Sequence, residues 1–273
     1  MNLASGVTPR WRPSPTIWAS VALHGAATAA AIVQPAAWPW ALGVIAANHI
    51  GLTAVGLWPR SRLLGSNITR LPDALAAANK VALTFDDGPN PAITPWVLDQ
   101  LDKHHAKATF FCVGEHVRAH PELTREIVKR GHVIENHSNL HSHAFSTFGL
   151  KRLRLDIEAA QTTIAEHTGR VPQLFRAPAG LRSPLLEPIL ARCGLQLASW
   201  TRRGFDTVER DADKVFQRLD KQLGAGDILL LHDGASAAHV NNRPVIFDVL
   251  PRLLTRFDTL GLRAIPIISS NAL

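Results

Sequence analysis

Val81-Ala-Leu-Thr-Phe-Asp-Asp-Gly-Pro89 runs from an apolar stretch straight into two carboxylates and a Gly-Pro turn. A short apolar run of this kind, bounded by turn formers, reads as a buried strand. The same pattern recurs downstream, with runs at 109–113, 132–135, 174–176, 195–200, 228–231 and 262–267. Between them the segments 95–103, 121–130, 150–167, 183–192, 211–223 and 245–258 carry apolar residues at helical spacing, several opening on Pro, Ser or Asp. Strands alternating with crossover helices build a parallel sheet. Counting 81–85, the runs number seven, which predicts an α/β fold, a distorted (β/α)7 barrel whose chemistry lies at the C-terminal ends of the strands.

The strand and helix pattern occupies about 79–266, leaving a short tail at 267–273 and an N-terminal segment at 1–70 of different character. Within that segment 17–33 and 41–58 contain no charged side chain, and each is close to the ~20 residues that cross a bilayer. Pro35 and Pro39 break the helix between them, and Trp38 and Trp40 suit a membrane interface. A helical membrane hairpin fits best. A cleaved signal peptide accounts for the first run but not the second, and a pair of surface-lying helices is the other reading. His24 and His49 read as packing or interhelical hydrogen-bond residues.

Only Arg10, Arg12, Arg60, Arg62 and Arg70, of 29 Lys and Arg, precede Asp73, the first acidic residue. The remainder sets 24 basic residues against 22 acidic ones, so most of the formal charge of +7 belongs to the N-terminal segment. A nucleic-acid binder would carry its basic face on the folded domain, so no nucleic-acid partner is expected. If both runs span, Arg10 and Arg12 before the hairpin and Arg60 and Arg62 after it predict that both ends, and the catalytic domain, face the cytoplasmic side of a cell membrane; if only one run spans, the same rule puts the catalytic domain outside. Cys112 and Cys193 lack any paired metal spacing and read as reduced thiols in apolar surroundings.

Candidate chemistry sits at the predicted strand ends. Asp86 and Asp87 are adjacent, so they point in different directions and one can ligate a metal while the other acts as a base. His137 and His141 stand at i, i+4, which puts both imidazoles on one face if the stretch is helical, and His143 reads as a loop residue. With Asp87 they make two His and one carboxylate, a set that leaves positions open for water and substrate. Arg176 ends the fourth run and can orient a neighbouring carboxylate; His232 ends the sixth and can donate a proton to a leaving nitrogen.

These residues resemble the polysaccharide deacetylases, carbohydrate esterase family 4, also called the nodulation-factor deacetylase homology domain. The resemblance rests on Thr84-Phe-Asp-Asp-Gly88, His137-Ser-Asn-Leu-His141, Arg176-Ala-Pro-Ala-Gly180 and Leu230-Leu-His-Asp233. It implies a metal-dependent N-deacetylase acting on an amino-sugar glycan. Asp86 would be the general base, Asp87, His137 and His141 the metal ligands, Arg176 the partner of Asp86 and His232 the general acid. Leu230 would line the acyl pocket with Pro178 and Trp200 nearby, and Asp206 would tune Arg176. One divalent ion is implied, zinc by ligand type, with cobalt, nickel or manganese also accepted.

Two departures bear on substrate. An aromatic residue is usual where Ala179 stands, and an Asp-Trp pair where Asp206-Thr207 stands. With no Tyr, and five of the seven Trp residues within the first 58, the domain has little to grip a long glycan, which favours a short or lipid-linked amino sugar. Other readings stay open: a different acyl group such as formyl, an inactive membrane-anchored carbohydrate-binding protein, or an iron oxygenase using two His and a carboxylate, which would need neither Asp86 nor His232.

Overall fold

The computed structural model describes residues 11–238 and 243–267; Arg10 and the expected tail beyond residue 267 lie outside them. Among the described residues there are eight strands: β1 (Lys80–Asp86), β2 (Thr109–Cys112), β3 (Val133–Asn136), β4 (Leu174–Phe175), β5 (Gln196–Leu197), β6 (Arg202–Arg203), β7 (Ile228–His232) and β8 (Arg263–Ile265). They pair in the order β5-β4-β3-β2-β1-β7-β6, every pairing parallel. β8 takes residues 80–82 of β1, while β2 takes 84–86. The result is a curled parallel half-barrel wrapped by helices, the distorted (β/α)7 barrel that the sequence predicts. All seven predicted runs are strands. The two-residue β6 escapes the apolar pattern because Arg202 and Arg203 compose it.

Two-residue periodicity divides the core. Val81, Leu83 and Phe85 of β1 pack outward against the helical layer, in one cluster with Val97, Ile127, Val249 and Leu253. Ala82 faces the inside of the curl with Phe111, Trp200, Ile228 and Leu230. The same parity carries Asp86 on β1 and His232 on β7 to the inner side at the strand ends.

The first two helices, α1 (Pro15–Val33) and α2 (Trp38–Gly56), are joined by a 3-10 turn at Pro35–Ala37 and pack together. Prolines account for the break between them. Polar side chains turn toward each other: Asn48 Nδ2 donates to Ser20 Oγ at 2.8 Å, and the His24 and His49 Nε2 atoms stand 3.3 Å apart. Apolar side chains such as Val21, Ile32, Leu42 and Ile50 face outward and are exposed. Among the described residues α1 alone is long and apolar enough to cross a membrane by itself.

The chain leaving α2 is tied into the barrel. The Pro59 carbonyl accepts from Asn67 Nδ2 (2.9 Å) and Ser199 Oγ (2.7 Å), and Arg60 Nη1 donates to the Thr201 carbonyl. Ile68 forms a parallel bridge with Ala198, which continues the edge next to β5. Backbone groups left open at the seam are thereby paired, as an edge requires.

Candidate active site

Asp86 ends β1 and is the register partner of His232 at the end of β7. Arg176, which follows β4, is buried and donates from Nη1 to Asp86 Oδ1 at 2.6 Å and to Thr84 Oγ1 at 2.8 Å. Its other nitrogens reach the carbonyls of Ser199 (2.8 Å) and Ala198 (3.3 Å), and its guanidinium lies 4.0 Å from the Phe111 ring centroid. A buried guanidinium with its donors satisfied and a carboxylate partner is one of the few forms in which such a charge persists inside a protein.

Asp87 turns the chain with φ of +73°, so its carboxylate leaves the strand direction that Asp86 follows. Gly234 makes that turn possible: a Cβ there would stand 2.1 Å from the Asp87 carbonyl oxygen. Asp87 Oδ1 lies 3.2 Å from His137 Nε2 and 3.1 Å from His141 Nε2. His137 is oriented by an Nδ1–H bond to the Arg176 carbonyl (2.8 Å), which leaves its Nε2 to the cavity. Burial alone would raise the Asp87 carboxyl, but the imidazoles beside it, His137 foremost, hold it well below the usual carboxylate range.

The two imidazoles converge by a route the spacing did not predict. Residues 137–141 are not helical; Ser138 (φ +67°) and His141 (φ +46°) adopt left-handed conformations in a tight loop. Asn136 Oδ1 accepts from the Ser138 N–H, and Asp156 Oδ1 from the Asn139 N–H, so side chains replace the helical ladder. The ligand atoms of Asp87, His137 and His141 lie within 4.8 Å of one another, and Asp87 Oδ1 is buried without a hydrogen-bond partner. Two imidazole nitrogens and one carboxylate oxygen converging on one point fit a divalent cation.

His232 presents the other wall. Its Nδ1 and its backbone N–H both bond the buried carboxylate of Asp206, each at 2.8 Å. Burial pulls the imidazole down, but the Asp206 charge and hydrogen bond outweigh it and push the group up to about 9. Asp206 therefore partners His232 and not Arg176, because residues 202–206 bring it beneath β7 while Arg176 is already closed around Asp86.

Asp86, Asp87, His137, His141 and His232 all line one cavity of about 460 Å³. Leu230 and Trp200 line it too; Pro178 is buried, and its neighbours Ala179 and Gly180 form the wall in its place. Thr207 lines the position where an aromatic surface was expected. Three further ionisable side chains reach the cavity: His116, whose Nδ1 bonds the Asp87 carbonyl at 2.8 Å, His143 and Arg203. No motif spacing marks them in the sequence.

A parallel curled sheet with a two-His, one-Asp set that could hold a metal, a buried Asp–Arg pair and a His–Asp pair at its strand ends has the makings of a hydrolase site. Residues 75–198 match the family model for polysaccharide deacetylase. The chain is 33% identical over 189 residues to a peptidoglycan-N-acetylglucosamine deacetylase of Bacillus cereus, covering 68% of this chain and 85% of that one. It is 32% identical to a chitooligosaccharide deacetylase of Sinorhizobium fredii, covering 65% and 82%. Among solved structures, a family 4 carbohydrate esterase from Streptomyces lividans bound to acetate superposes with a TM-score of 0.61 at 30% identity, covering 68% of this chain and 91% of that one. A peptidoglycan N-acetylglucosamine deacetylase in complex with a naphthyl-substituted N-hydroxybenzamide gives 0.66 at 25% identity, covering 74% and 90%. The chain belongs to the polysaccharide deacetylases, carbohydrate esterase family 4, and is a hydrolase of carbon–nitrogen bonds.

Proposed function

We propose that this enzyme removes the acetyl group from an N-acetylated amino sugar with one divalent ion, zinc by donor type, and that it works on a short or lipid-linked glycan at a membrane surface. The observation that carries the reading is that Asp86 and His232 face the same cavity as the Asp87, His137 and His141 set. Asp87, His137 and His141 would hold the ion, which when bound would supply a lowered pKa of water, towards ~7, and polarisation of a carbonyl.

Asp86 has Oδ1 committed to Arg176, which leaves Oδ2 to take a proton from water as the water oxygen adds to the acetamide carbon. Breaking the carbon–nitrogen bond then puts an electron pair on nitrogen, and an amide anion does not leave. His232 has Nδ1 committed to Asp206, so its Nε2–H supplies that proton. Water is consumed, and acetate and a free amine leave. Leu230 and Trp200 on the cavity wall suit the acetyl methyl group and the sugar edge.

Membrane attachment rests on α1 and α2. Nineteen residues at 1.5 Å per residue give α1 ~28 Å, close to the ~30 Å of hydrocarbon. Trp38 and Trp40 are exposed at the turn end, Trp11, Trp18 and Trp58 at the other, as two interfacial belts require. Arg12, Arg60 and Arg62 lie at the domain end, a charge bias that supports a cytoplasmic side for that end when both helices span. A lipid-linked substrate is favoured because the chain leaving α2 touches the cavity wall: a Cβ added at Gly180 (φ +74°) would meet Trp200 at 2.5 Å and Pro59 at 2.8 Å.

The test is amine release from N-acetylglucosamine oligomers and lipid-linked acetamido sugars by metal-stripped protein, with zinc or cobalt added back. Metal-dependent release, faster on the lipid-linked sugar, is expected. Release only from N-formyl substrates would replace the acetyl assignment, and release from none would leave a non-catalytic role.

A further inference from the structure

The charges around the cavity are matched with one exception. Asp86 answers Arg176, Asp206 answers His232, and Asp87 stands among the imidazoles of His137 and His141. Arg203 has no ion-pair or hydrogen-bond partner among the described residues, and its Nε is buried without one.

Strand parity separates it from its neighbour. Arg202, facing away, bonds Asp227 and the carbonyls of Lys221 and Gln222. Arg203 is the register partner of Leu230 and points with it into the cavity. Its guanidinium is steered by aromatic faces, 5.4 Å from the Trp200 ring centroid and 4.9 Å from that of Phe205. Those rings hold the fork in place without neutralising it. An unpaired guanidinium beside a buried wall carries a desolvation cost that an incoming oxyanion relieves, and its planar fork suits a phosphate.

Resting on the reading of the enzyme as a membrane-attached amino-sugar deacetylase, we propose that Arg203 is an anion subsite that binds a phosphate carried by the amino-sugar substrate. Phosphate is the source the geometry favours. The cavity wall at Gly180 and Trp200 abuts Pro59, three residues past the end of α2, so a sugar linked to lipid through phosphate would bring its charge to this side. The small residues at Ala179 and Thr207 leave the binding of such a substrate to charge more than to ring stacking.

The experiment compares the full-length, metal-loaded enzyme with Arg203→Met and Arg203→Lys. The substrates are polyprenyl-phosphate-linked N-acetylglucosamine, N-acetylglucosamine 1-phosphate, N-acetylmuramic acid and the neutral N-acetylglucosamine dimer. Losing charge-assisted bonds to a charged group corresponds to about 10–100-fold in affinity. Arg203→Met is expected to lower kcat/KM on the two phosphate-bearing substrates at least tenfold more than on the dimer, mainly through KM, with Arg203→Lys intermediate and metal content unchanged. A larger effect on the polyprenyl substrate than on the free sugar phosphate assigns the phosphate to a lipid carrier; equal effects assign it to a soluble one. Equal losses on neutral and phosphorylated substrates, or an effect confined to the carboxylate of N-acetylmuramic acid, would overturn the phosphate subsite.

Calorimetric binding of glucosamine 1-phosphate against glucosamine needs no turnover. Absence of an Arg203-dependent preference there would overturn the subsite even in an enzyme that deacetylates normally. An Arg203-dependent preference without acetate release from any substrate would instead count against the deacetylase reading alone.

Discussion

Asp86 and His232 are register partners on adjacent parallel strands, β1 and β7, with their side chains on the same side of the sheet. Two titratable groups are thus fixed across one strand spacing, each by its own buried counterion. Neither depends on a mobile loop for its position.

Asp86→Asn keeps the shape of the side chain and leaves Asp87, His137 and His141 in place. Metal content is expected to stay near one equivalent while turnover falls by about 10²–10⁴-fold, the range for loss of a positioned base. His137→Ala removes a ligand and is expected to lose both. Metal analysis beside amine release on the same preparations checks the pair; loss of metal from Asp86→Asn would move Asp86 into the ligand set.

A proton donor at His232 works only while protonated, and its folded-state value of about 9 lies above the ordinary imidazole value. Activity should therefore fall as pH rises, and a divalent cation in the neighbouring set would draw the limb below 9. Asp206→Asn removes the charge that opposes burial, so its alkaline limb should move to lower pH still. In metal-free protein the raised value adds stability that is complete below about 6.5 and lost as pH climbs through about 9. Thermal unfolding across that window should show the loss in the parent and not in Asp206→Asn.

Much of this was legible in the residues. Four of the seven predicted strands, β1, β3, β4 and β7, lead into the residues singled out for the site, because a buried parallel strand is an apolar run and its C-terminal loop is where polar residues resume. The convergence of His137 and His141 was legible, but the helix inferred from their spacing was not there: left-handed Ser138 and His141, capped by Asn136 and Asp156, build a loop of the same reach. Asp206 was read as a partner of Arg176, because one-dimensional spacing does not say which of two buried cations a carboxylate meets. Arg203 and His116 carry no motif; strand parity and a backbone carbonyl place them, and both need coordinates.

Arg176 and Asp86 are both buried, so removing one strands the other's charge. Arg176→Met is expected to cost about 3–5 kcal/mol, the range for breaking a buried pair. The double variant Arg176→Met with Asp86→Asn removes the stranded charge and should recover part of that loss. Chemical denaturation of the four proteins gives the coupling; additive losses would mean the two side chains stabilise the fold independently.

The hairpin and the barrel meet through residues 56–68, and that junction decides where a truncation can fall. Pro59 and Ile68 supply backbone contacts to Ser199 and Ala198, so a chain beginning at Leu57 keeps the seam beside β5, whereas one beginning at Asn79 exposes it. The chain from Leu57 is expected to be soluble without detergent, to bind metal, and to turn over short oligomers within a few-fold of the full protein. Its turnover of a lipid-linked sugar in vesicles should fall more than tenfold, because the local concentration supplied by attachment is gone. Full-length protein should float with vesicles in a density gradient while the truncated chain stays at the bottom. A full chain that fails to float would remove the membrane role of α1 and α2 and leave them as a packed helical cap beside Gly180 and Trp200. A reporter fused after Leu273 then separates the two sides: activity confined to a periplasmic reporter would mean that a single helix spans and that the barrel faces outward.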